Sequence, residues 1–303
     1  MPFGQVTAFG GFVFSWHWGF ARLPRRRAAA LAGAALVLGS CAPSAVALHD
    51  QLRTHDPPST YETLNRPTGA PAAAVSAVDQ QAAAQGNALG VAVLDRATGE
   101  LSLGRNGQQP MYSASLSKII VTVELLERGR ATQQDRLLIQ RALGPSDDEA
   151  MNALWDRHGG TSLITTGAER MNLQQTRPPE EPGRWGDTIT SARDIAAVFQ
   201  HLLGKTPPGD RDFVLRALHA APEIAADGVN QKFGLMAVNA QAVKSGWMCC
   251  QQDKVWVHSA GVIDPDRKRY VVALLSAQPS SVGYGKAVDD LTAAARTALT
   301  PLR

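Results

Sequence analysis

A serine and a lysine near residue 115 have the types and spacing that covalent catalysis requires. Ser115 and Lys118 form a Ser-x-x-Lys motif, which in a helix places the hydroxyl and the amine about one turn apart on one face. A lysine that loses its proton in a dry pocket can accept the proton of the serine, which then attacks as a nucleophile. A motif this short also occurs by chance at the start of a surface helix.

Two further short motifs follow along the chain. A Ser-Asp-Asp motif at residues 146–148 immediately precedes a predicted helix, so its simplest interpretation is an acidic N-cap. A Lys-Ser-Gly motif at residues 244–246 lies on a predicted strand, where glycine allows a substrate backbone to lie against the strand. Each motif alone is weak evidence of a site, so their order and the elements that carry them decide the interpretation.

The periodicity of apolar residues predicts the elements that must position these motifs. The predicted order is a helix, two strands, a block of helices, three strands and a final helix. One sheet built from both chain ends, with an inserted all-α lobe, is the simplest assembly of that order, and the cleft between the lobes is the expected site. The predicted helices cover residues 70–85, 115–128, 136–143, 147–157, 161–171, 191–203 and 283–299, and the predicted strands cover 89–94, 100–104, 241–248, 254–263 and 269–277.

Composition and charge exclude several classes of protein. The chain has 303 residues, 44% of them hydrophobic, which excludes collagen-like, coiled-coil and disordered chains. Four arginines and no acidic residue precede residue 41, so removal of residues 1–40 changes the formal net charge from +3 to −1. A nearly neutral chain is not expected to bind nucleic acid. The histidines and cysteines lack metal-ligand spacing, so we expect no metal and no cofactor.

The composition of the first 71 residues predicts an export signal and a linker, and no folded domain in this segment. The apolar stretch at residues 28–40 is too short to span a bilayer and is typical of a signal peptide. Residues 38–41 resemble the bacterial lipobox, which implies lipidation of Cys41 and attachment to the cell membrane in the bacterial envelope. We therefore divide the chain into a signal peptide (1–40), a flexible tether (41–71) and a folded domain (72–303), which we expect to be monomeric.

Two more cysteines are adjacent in the sequence, at Cys249 and Cys250. Neighbouring side chains on an extended strand point to opposite faces of the sheet. We therefore expect two separate thiols, with a vicinal disulfide of redox function as the alternative.

Taken together and in this order, the three motifs resemble the signatures SxxK, SDN and KTG of the serine β-lactamase and penicillin-recognising DD-peptidase superfamily. The resemblance covers about residues 70–300 and is greatest to class A β-lactamases. It implies an α/β (α+β) fold of three layers, in which N- and C-terminal helices flank an antiparallel sheet and an all-α lobe is inserted at about residues 115–225. It also implies β-lactams or peptidoglycan-derived peptides as substrates, and no cofactor.

The resemblance assigns catalytic and binding roles to individual residues. Ser115 would be the acylated nucleophile, Lys118 its proton acceptor, and Ser146 the group that passes a proton to the leaving nitrogen. Free N–H groups at a helix start favour developing negative charge, which suits Ser115 for an oxyanion hole. The residues implied in substrate binding are Asp148, Lys244, Ser245, Gly246 and Trp247. Lys244 and Ser245 would hold a substrate carboxylate, and the backbone N–H of Trp247 would complete the oxyanion hole.

The sequence also departs from the family pattern at two places. Asp148 stands where the pattern has asparagine, and an ionised carboxylate cannot donate a hydrogen bond to a substrate carbonyl. No E-x-x-L-N segment lies between residues 171 and 188, where only Glu180 and Glu181 could supply a deacylating base. Without that base an acyl-enzyme should persist.

Three functional hypotheses remain open from the sequence. The first is an enzyme that is acylated at Ser115 by β-lactams or cell-wall peptides. The second is a degenerate member of the fold that acts as a lipid-anchored binding protein, which Asp148 and the missing glutamate favour. The third is an esterase or amidase on the same scaffold.

The lipobox prediction can be tested by cell fractionation. We expect Cys41→Ser to release the protein from membranes, because the substitution removes the only thiol available for acylation at that site. Cys249→Ser serves as the control and should leave membrane attachment unchanged. Full membrane retention of Cys41→Ser would contradict lipidation at this residue.

Overall fold

A computed structural model describes residues 69–238, 240, 242–263 and 269–302. The predicted signal peptide, Cys41 and nearly all of the tether lie outside these residues. Within the described part of the chain, no helix is long and apolar enough to cross a bilayer.

The β-strands are built from both ends of the folded region. Five of them form one antiparallel sheet in the order β2-β1-β7-β6-β5, so strands from opposite ends of the sequence pair directly. The remaining two form a separate short pair. The strands are β1 (Ala88–Asp95), β2 (Leu101–Leu103), β3 (Met111–Tyr112), β4 (Ile189–Thr190), β5 (Ala242–Cys249), β6 (Lys254–Ile263) and β7 (Tyr270–Pro279).

Eight α-helices are present in the described residues, and most of them lie in the inserted lobe between β3 and β5. They are α1 (Ala70–Gln85), α2 (Ser117–Glu127), α3 (Gln133–Leu143), α4 (Asp148–His158), α5 (Thr161–Met171), α6 (Ala192–Gly204), α7 (Pro208–His219) and α8 (Tyr284–Leu299). The predicted α/β fold with an antiparallel sheet and flanking terminal helices is confirmed.

The central strand β7 shows why the domain has three layers. All of its residues except the last are buried, and their side chains alternate between two cores. Val271 and Ala273 pack towards the helical lobe, whereas Val272 and Leu274 pack towards α1 and α8. A strand buried on both faces is largely apolar, which explains the hydrophobic run over its first six residues, whereas Ser276 and Gln278 near its end are buried polar residues.

Helix α1 begins and ends at the residues that the sequence predicts. A proline occupies its first turn, where the missing N–H costs no hydrogen bond. Gly86 ends it in the left-handed conformation, with φ of 68°, and its N–H donates back to the last turn. The helix therefore has sharp ends although its sequence is mostly alanine.

Three local features differ from the sequence predictions. The second helix begins at Ser117, because Ala114–Leu116 form a single 3-10 turn. Helix α7 is not predicted: a Pro-Pro-Gly run at residues 207–209 indicates a loop, yet Pro207 is its N-cap and Pro208 its first residue, where proline is well suited. The two-residue strands β3 and β4 are too short to give a periodic signal.

The prediction of two separate thiols is wrong, because the sulfur atoms of Cys249 and Cys250 form a disulfide. Cys249 is the last residue of β5 and Cys250 lies outside the strand. The rule that neighbouring side chains point to opposite faces holds only within a strand, so it does not apply to this pair.

One buried carboxylate fixes the segment that leads from α5 towards the cleft. Asp194, fully buried at the start of α6, accepts hydrogen bonds from the backbone N–H groups of Gln174, Gln175 and Thr176 at 2.7–2.9 Å. The Thr176 hydroxyl donates to the same carboxylate at 2.9 Å. Asp194 at the start of α6 therefore fixes the conformation of the segment that follows α5.

We expect Asp194→Asn to lower the free energy of unfolding by about 1–3 kcal/mol, because an amide NH2 would face buried donors and leave some of them unsatisfied. Urea denaturation monitored by circular dichroism measures the change. The control is Asp156→Asn, which alters an exposed side chain on α4 and should change stability by less than about 0.5 kcal/mol. Equal stabilities of the two variants would contradict this role of Asp194.

Candidate active site

Ser115 lies at the junction between β3 and α2, within the short 3-10 turn. The preceding Ala114 has φ of 45°, a left-handed conformation that alanine rarely adopts. The Ser113 N–H donates to the carbonyl of Thr188 at 2.7 Å, which ties this junction to the segment before β4. The strained turn directs the Ser115 side chain towards the interior, where it is almost fully buried.

Strand β5 passes directly beside this turn. A Cβ atom added at Gly246 would lie 3.3 Å from the Ser115 nitrogen and 3.4 Å from the Ser113 oxygen. A side chain at this position would therefore be in tighter than ordinary contact with the serine turn, and the backbone there would have to shift by a few tenths of an ångström. This close approach is the reason for the glycine in the Lys-Ser-Gly motif.

Three elements bring two serines and two lysines into one hydrogen-bonded cluster. The Lys118 Nζ lies 3.1 Å from the Ser115 Oγ and 3.2 Å from the Ser146 Oγ. The Ser146 hydroxyl donates to the Ser115 Oγ at 3.1 Å. From β5, the Lys244 Nζ donates to the Ser146 Oγ at 2.8 Å. The sequence predicts all four residues as catalytic or binding groups, and the structure places them together.

The Ser-Asp-Asp motif caps helix α4 and also contacts the buried lysine Lys118. Asp147 is the N-cap of α4 and accepts a hydrogen bond from the Ala150 N–H at 3.1 Å, so the predicted acidic N-cap is confirmed. Ser146 directly before it has φ of 58°, and its carbonyl accepts a hydrogen bond from Lys118 at 2.7 Å. The left-handed residue thereby turns both its hydroxyl and its carbonyl towards the buried lysine.

Both lysines are buried, and burial disfavours their charged forms. Burial lowers the pKa of Lys118, and the charge of the Asp148 carboxylate opposes this effect without reversing it. Burial also lowers the pKa of Lys244 well below its usual range, and the neighbouring Lys118 charge lowers it further. A lysine with a lowered pKa can act as a proton acceptor near neutral pH.

Asp148 pairs with Lys118 directly. Its Oδ1 lies 2.6 Å from the Lys118 Nζ, while 57% of the Asp148 side chain remains exposed to solvent. The carboxylate thus connects the buried lysine with the cleft. As the sequence indicates, this position holds an acceptor where the family pattern has an amide that can also donate.

Ser245 and Trp247 flank Gly246 on β5 but face other partners. The Ser245 hydroxyl is buried and donates to the Gln231 carbonyl at 3.0 Å, rather than pointing to Ser115. The Trp247 indole N–H donates to Asp227 at 3.0 Å, and its ring centre lies 5.8 Å from the Lys244 Nζ. Sequence reasoning missed Asp227, because an aspartate before glycine indicates only a turn.

Neither glutamate of the loop before β4 contacts the two serines and two lysines of the cluster in the described part of the chain. Glu180 and Glu181 are both exposed, and no contact of either with Ser115 or Lys118 is found among the described residues. Instead the ring centre of Trp185 lies 4.8 Å from the Lys118 Nζ. The Trp185 indole N–H donates to the Asn152 Oδ1 at 2.8 Å. Sequence reasoning missed Trp185 because a tryptophan in a loop carries no distinctive signal.

A neutral histidine contacts the end of β3, three residues before Ser115. The ring of His258 on β6 bonds to the Tyr112 carbonyl at 2.8 Å and accepts from the Ser276 N–H at 3.3 Å. Burial lowers the pKa of His258 to about 4, so it is uncharged at neutral pH. Within the described residues, no group of three or more His, Cys, Asp or Glu side chains is arranged to hold a metal ion.

The comparison of sequences assigns the family. The chain matches the model of the Beta-lactamase enzyme family over residues 71–137. It is 38% identical over 229 residues to the protein named "Putative lipoprotein LppW" from Mycobacterium tuberculosis, covering 72% of this chain and 71% of the relative. This chain belongs to the β-lactamase enzyme family. The protein of the same name from Mycobacterium bovis matches with the same identity and coverage.

Solved structures of the β-lactamase family share the fold of this member. A β-lactamase from Chitinophaga pinensis aligns with a TM-score of 0.62 and 13% identity over 74% of this chain and 97% of that chain. A class A β-lactamase from Mycobacterium abscessus aligns with a TM-score of 0.60 and 17% identity over 76% and 99%. A PBP-A variant, in an acyl-enzyme complex with penicillin G, aligns with a TM-score of 0.59 and 19% identity over 74% and 94%.

The Lys118–Asp148 contact predicts a change in pH dependence. Asp148→Asn should shift the rising limb of Ser115 acylation to lower pH, because removal of the carboxylate removes a charge that raises the pKa of Lys118. Acylation by the uncharged ester p-nitrophenyl acetate, measured across pH, detects the shift without altering the charge of the substrate. At a fixed pH on the rising limb the rate should increase severalfold.

Glu149→Gln is the matched control, since it removes one exposed carboxylate from the same turn of α4. Its pH profile should coincide with that of the unmodified protein. An unchanged profile in Asp148→Asn, or a shift to higher pH, would show that Asp148 does not control the protonation of Lys118.

Proposed function

We propose that this lipoprotein of the β-lactamase family forms a covalent acyl-enzyme at Ser115 with β-lactams or peptidoglycan-derived peptides. The observation that carries the proposal is the 3.1 Å contact between the Ser115 Oγ and the buried Lys118 Nζ, whose pKa is lowered by burial. A nucleophile within hydrogen-bond distance of a base is the arrangement that activates a serine hydroxyl. The alanine at 114 and the glycine at 246 maintain this contact.

The cluster supplies each proton transfer of the reaction. The Ser115 Oγ bonds to the carbonyl carbon while its proton passes to the Lys118 amine. The C–N bond then breaks, and the leaving nitrogen takes a proton through the Ser146 hydroxyl, which lies 3.2 Å from Lys118. The products are an ester at Ser115 and a free amine. We assign oxyanion stabilisation to the N–H groups of Ser115 and Trp247.

The surroundings of Lys118 support slow release of the acyl group. Hydrolysis requires a base that activates water beside the ester. The Trp185 ring centre lies 4.8 Å from the Lys118 Nζ, and the only carboxylate in contact with Lys118 among the described residues is Asp148. We therefore propose behaviour like that of a penicillin-binding protein rather than rapid hydrolysis of β-lactams.

Membrane attachment is part of the same proposal. The relatives from two mycobacteria carry the name of a lipoprotein, which supports export of this chain. We assign the attachment to an acylated Cys41, which would hold the domain close to cell-wall substrates at the outer face of the membrane.

One observation favours a second candidate function, that of a binding protein without catalysis. The 2.6 Å pair between Lys118 and Asp148 stabilises the protonated lysine, and a protonated lysine cannot accept the serine proton. If this effect dominates, the cleft binds cell-wall fragments and forms no covalent bond.

Intact mass spectrometry of the full-length chain in detergent, after incubation with penicillin G, separates the two functions. We expect a mass increase equal to one whole penicillin molecule, because ring opening retains all atoms, and a persistent adduct because deacylation is slow. Ser115→Ala should give no adduct, whereas Ser281→Ala, which alters an exposed serine, should give the full adduct. An adduct on Ser115→Ala would refute the nucleophile. Absence of an adduct with both penicillin G and p-nitrophenyl acetate would favour the binding protein.

A further inference from the structure

The disulfide between Cys249 and Cys250 lies on the surface at the end of β5. Both residues are exposed to solvent, so a small thiol in solution has access to them. Cys249 is three residues beyond Gly246, which corresponds to about 10 Å along a strand, and Gly246 adjoins the Ser115 turn. An accessible disulfide therefore lies near the cleft, and the proposed acyl transfer makes no use of it.

A disulfide between adjacent residues is a poor cross-link for a whole domain. The stabilisation that a disulfide provides by restricting the unfolded chain grows with the length of the loop that it closes, and this one joins consecutive residues. Its constraint is therefore local, confined to the turn between β5 and β6. Structural disulfides of exported proteins resist reduction, whereas exposed disulfides are typically labile or regulatory. Position and exposure thus both indicate a disulfide that can exchange with thiols.

The turn after the disulfide has a backbone conformation that its surroundings impose. Gln252 and Asp253 both have φ of 55°, in the left-handed region that residues other than glycine rarely adopt. The Asp253 N–H donates to the Cys250 carbonyl at 3.1 Å. The Trp256 indole N–H donates to the Gln251 carbonyl, also at 3.1 Å. Such conformations persist only where neighbouring structure holds them, and the disulfide fixes the start of this turn.

One side chain of the turn contacts β3, the strand that leads into the serine turn. The Gln252 Nε2 donates to the Tyr112 hydroxyl at 3.2 Å. The Tyr112 ring also packs edge-on against Trp256, with the ring centres 5.2 Å apart. Since Tyr112 lies three residues before Ser115, the disulfide turn and β6 together influence the position of the serine.

A second side chain of the turn contacts the segment beside Lys118. The Gln251 Nε2 lies 3.5 Å from the Asp187 Oδ2, and Asp187 ends the 3-10 turn that begins at Trp185. This 3-10 turn packs against the serine turn at Ala114–Leu116, and its Trp185 ring contacts Lys118. A displacement of the disulfide turn would therefore affect both the nucleophile and its base.

We propose that the disulfide of Cys249 and Cys250 is an exchange site for low-molecular-weight thiols, and that its oxidation state regulates acylation of Ser115. In the oxidised form the disulfide holds Gln251 and Gln252 against the two segments, and acylation is faster. In the reduced form the turn is released, both contacts weaken and acylation is slower. The regulation rests on the acyl transfer proposed above, whereas the thiol exchange does not.

The exchange uses two molecules of a small thiol as the reductant. The thiolate of the first bonds to one sulfur of the pair, the S–S bond breaks, and the other sulfur leaves as a thiolate that takes up a proton. The second thiolate then bonds to the sulfur of the first small molecule, and the remaining cysteine is released and protonated. In total the protein disulfide gains two electrons and two protons, and the two small thiols become one disulfide.

Reduction and reoxidation of the full-length chain in detergent test the switch. The protein is reduced with dithiothreitol, separated from it by gel filtration and incubated with penicillin G, while intact mass spectrometry follows the adduct. Iodoacetamide, applied to separate samples, should add two groups at this pair after reduction and none before. We expect the reduced chain to be acylated about three- to tenfold more slowly, and oxidised glutathione to restore the rate.

Two double variants locate the effect. Cys249→Ser combined with Cys250→Ser should be acylated at the rate of the reduced chain and should not respond to dithiothreitol. Gln251→Ala combined with Gln252→Ala should be acylated slowly even with the disulfide present, because both contacts are removed. Gln80→Ala, which alters an exposed glutamine on α1, is the matched control and should keep both the rate and its response to reduction.

Hydrogen exchange provides a readout that does not require acylation. Reduction should accelerate amide exchange in residues 111–116 and 185–188, because these segments lose the contacts of the disulfide turn. Exchange in the central strand β7 and the circular dichroism of the domain should stay unchanged, as expected for a local constraint.

The possible failures are distinguishable. Equal acylation rates of the oxidised and reduced chains, or unchanged exchange in both segments, would overturn the switch and leave acylation of Ser115 intact. Loss of the circular dichroism signal on reduction would also overturn it, because the disulfide would then be a structural cross-link. Absence of any adduct in either form would overturn the proposed function together with its regulation, and hydrogen exchange alone would then decide whether the turn responds to thiols.

Discussion

Burial of two lysine ammonium groups is the constraint on which the site depends. Transfer of one such charge from water into a protein interior costs of order several kcal/mol after relaxation. Lys118 and Lys244 are both almost inaccessible to solvent, and each is surrounded by hydroxyl, carbonyl or carboxylate oxygens. The domain must therefore deliver these oxygens from separate elements to one point, and it must hold them there.

The fold meets this requirement with three convergent segments. The turn before α2 supplies Ser115, the turn before α4 supplies Ser146, and the centre of β5 supplies Lys244. Two of these segments contain a left-handed non-glycine residue, Ala114 and Ser146, and such conformations persist only where the surrounding structure imposes them. The packed sheet and the helical lobe provide that support on both sides.

Acidic and aromatic side chains lie around the two buried lysines. The solved relatives share the fold at 13–19% identity, so the same arrangement of elements forms from very different sequences. Here Asp148 contacts Lys118, the Trp185 ring centre lies 4.8 Å from the same lysine, and Asp227 accepts a hydrogen bond from Trp247 of β5. Under the function proposed above, Asp148 and Trp185 are the residues that we expect to slow hydrolysis of the acyl group.

The sequence by itself determined the order of the elements, the three motifs and the four residues of the hydrogen-bonded cluster. Apolar periodicity and motif spacing are local properties, so they can be recognised from consecutive residues without knowing what packs against them. Helix α1 and strand β6 accordingly have the predicted bounds. Helix α7 was missed because its local signal, a pair of prolines, is shared by loops.

Only the tertiary structure decided how the remaining residues act. Three contacts join residues that are far apart in the sequence. Ser245 bonds to Gln231, 14 positions away, and Asp227 bonds to Trp247, 20 positions away. Trp185 contacts Lys118, 67 positions away. The pairing of Cys249 with Cys250 depended on where β5 ends. Sequence motifs name the groups that can react, whereas burial, charge pairing and contact across the cleft arise when distant segments pack, and these determine which groups are free to react.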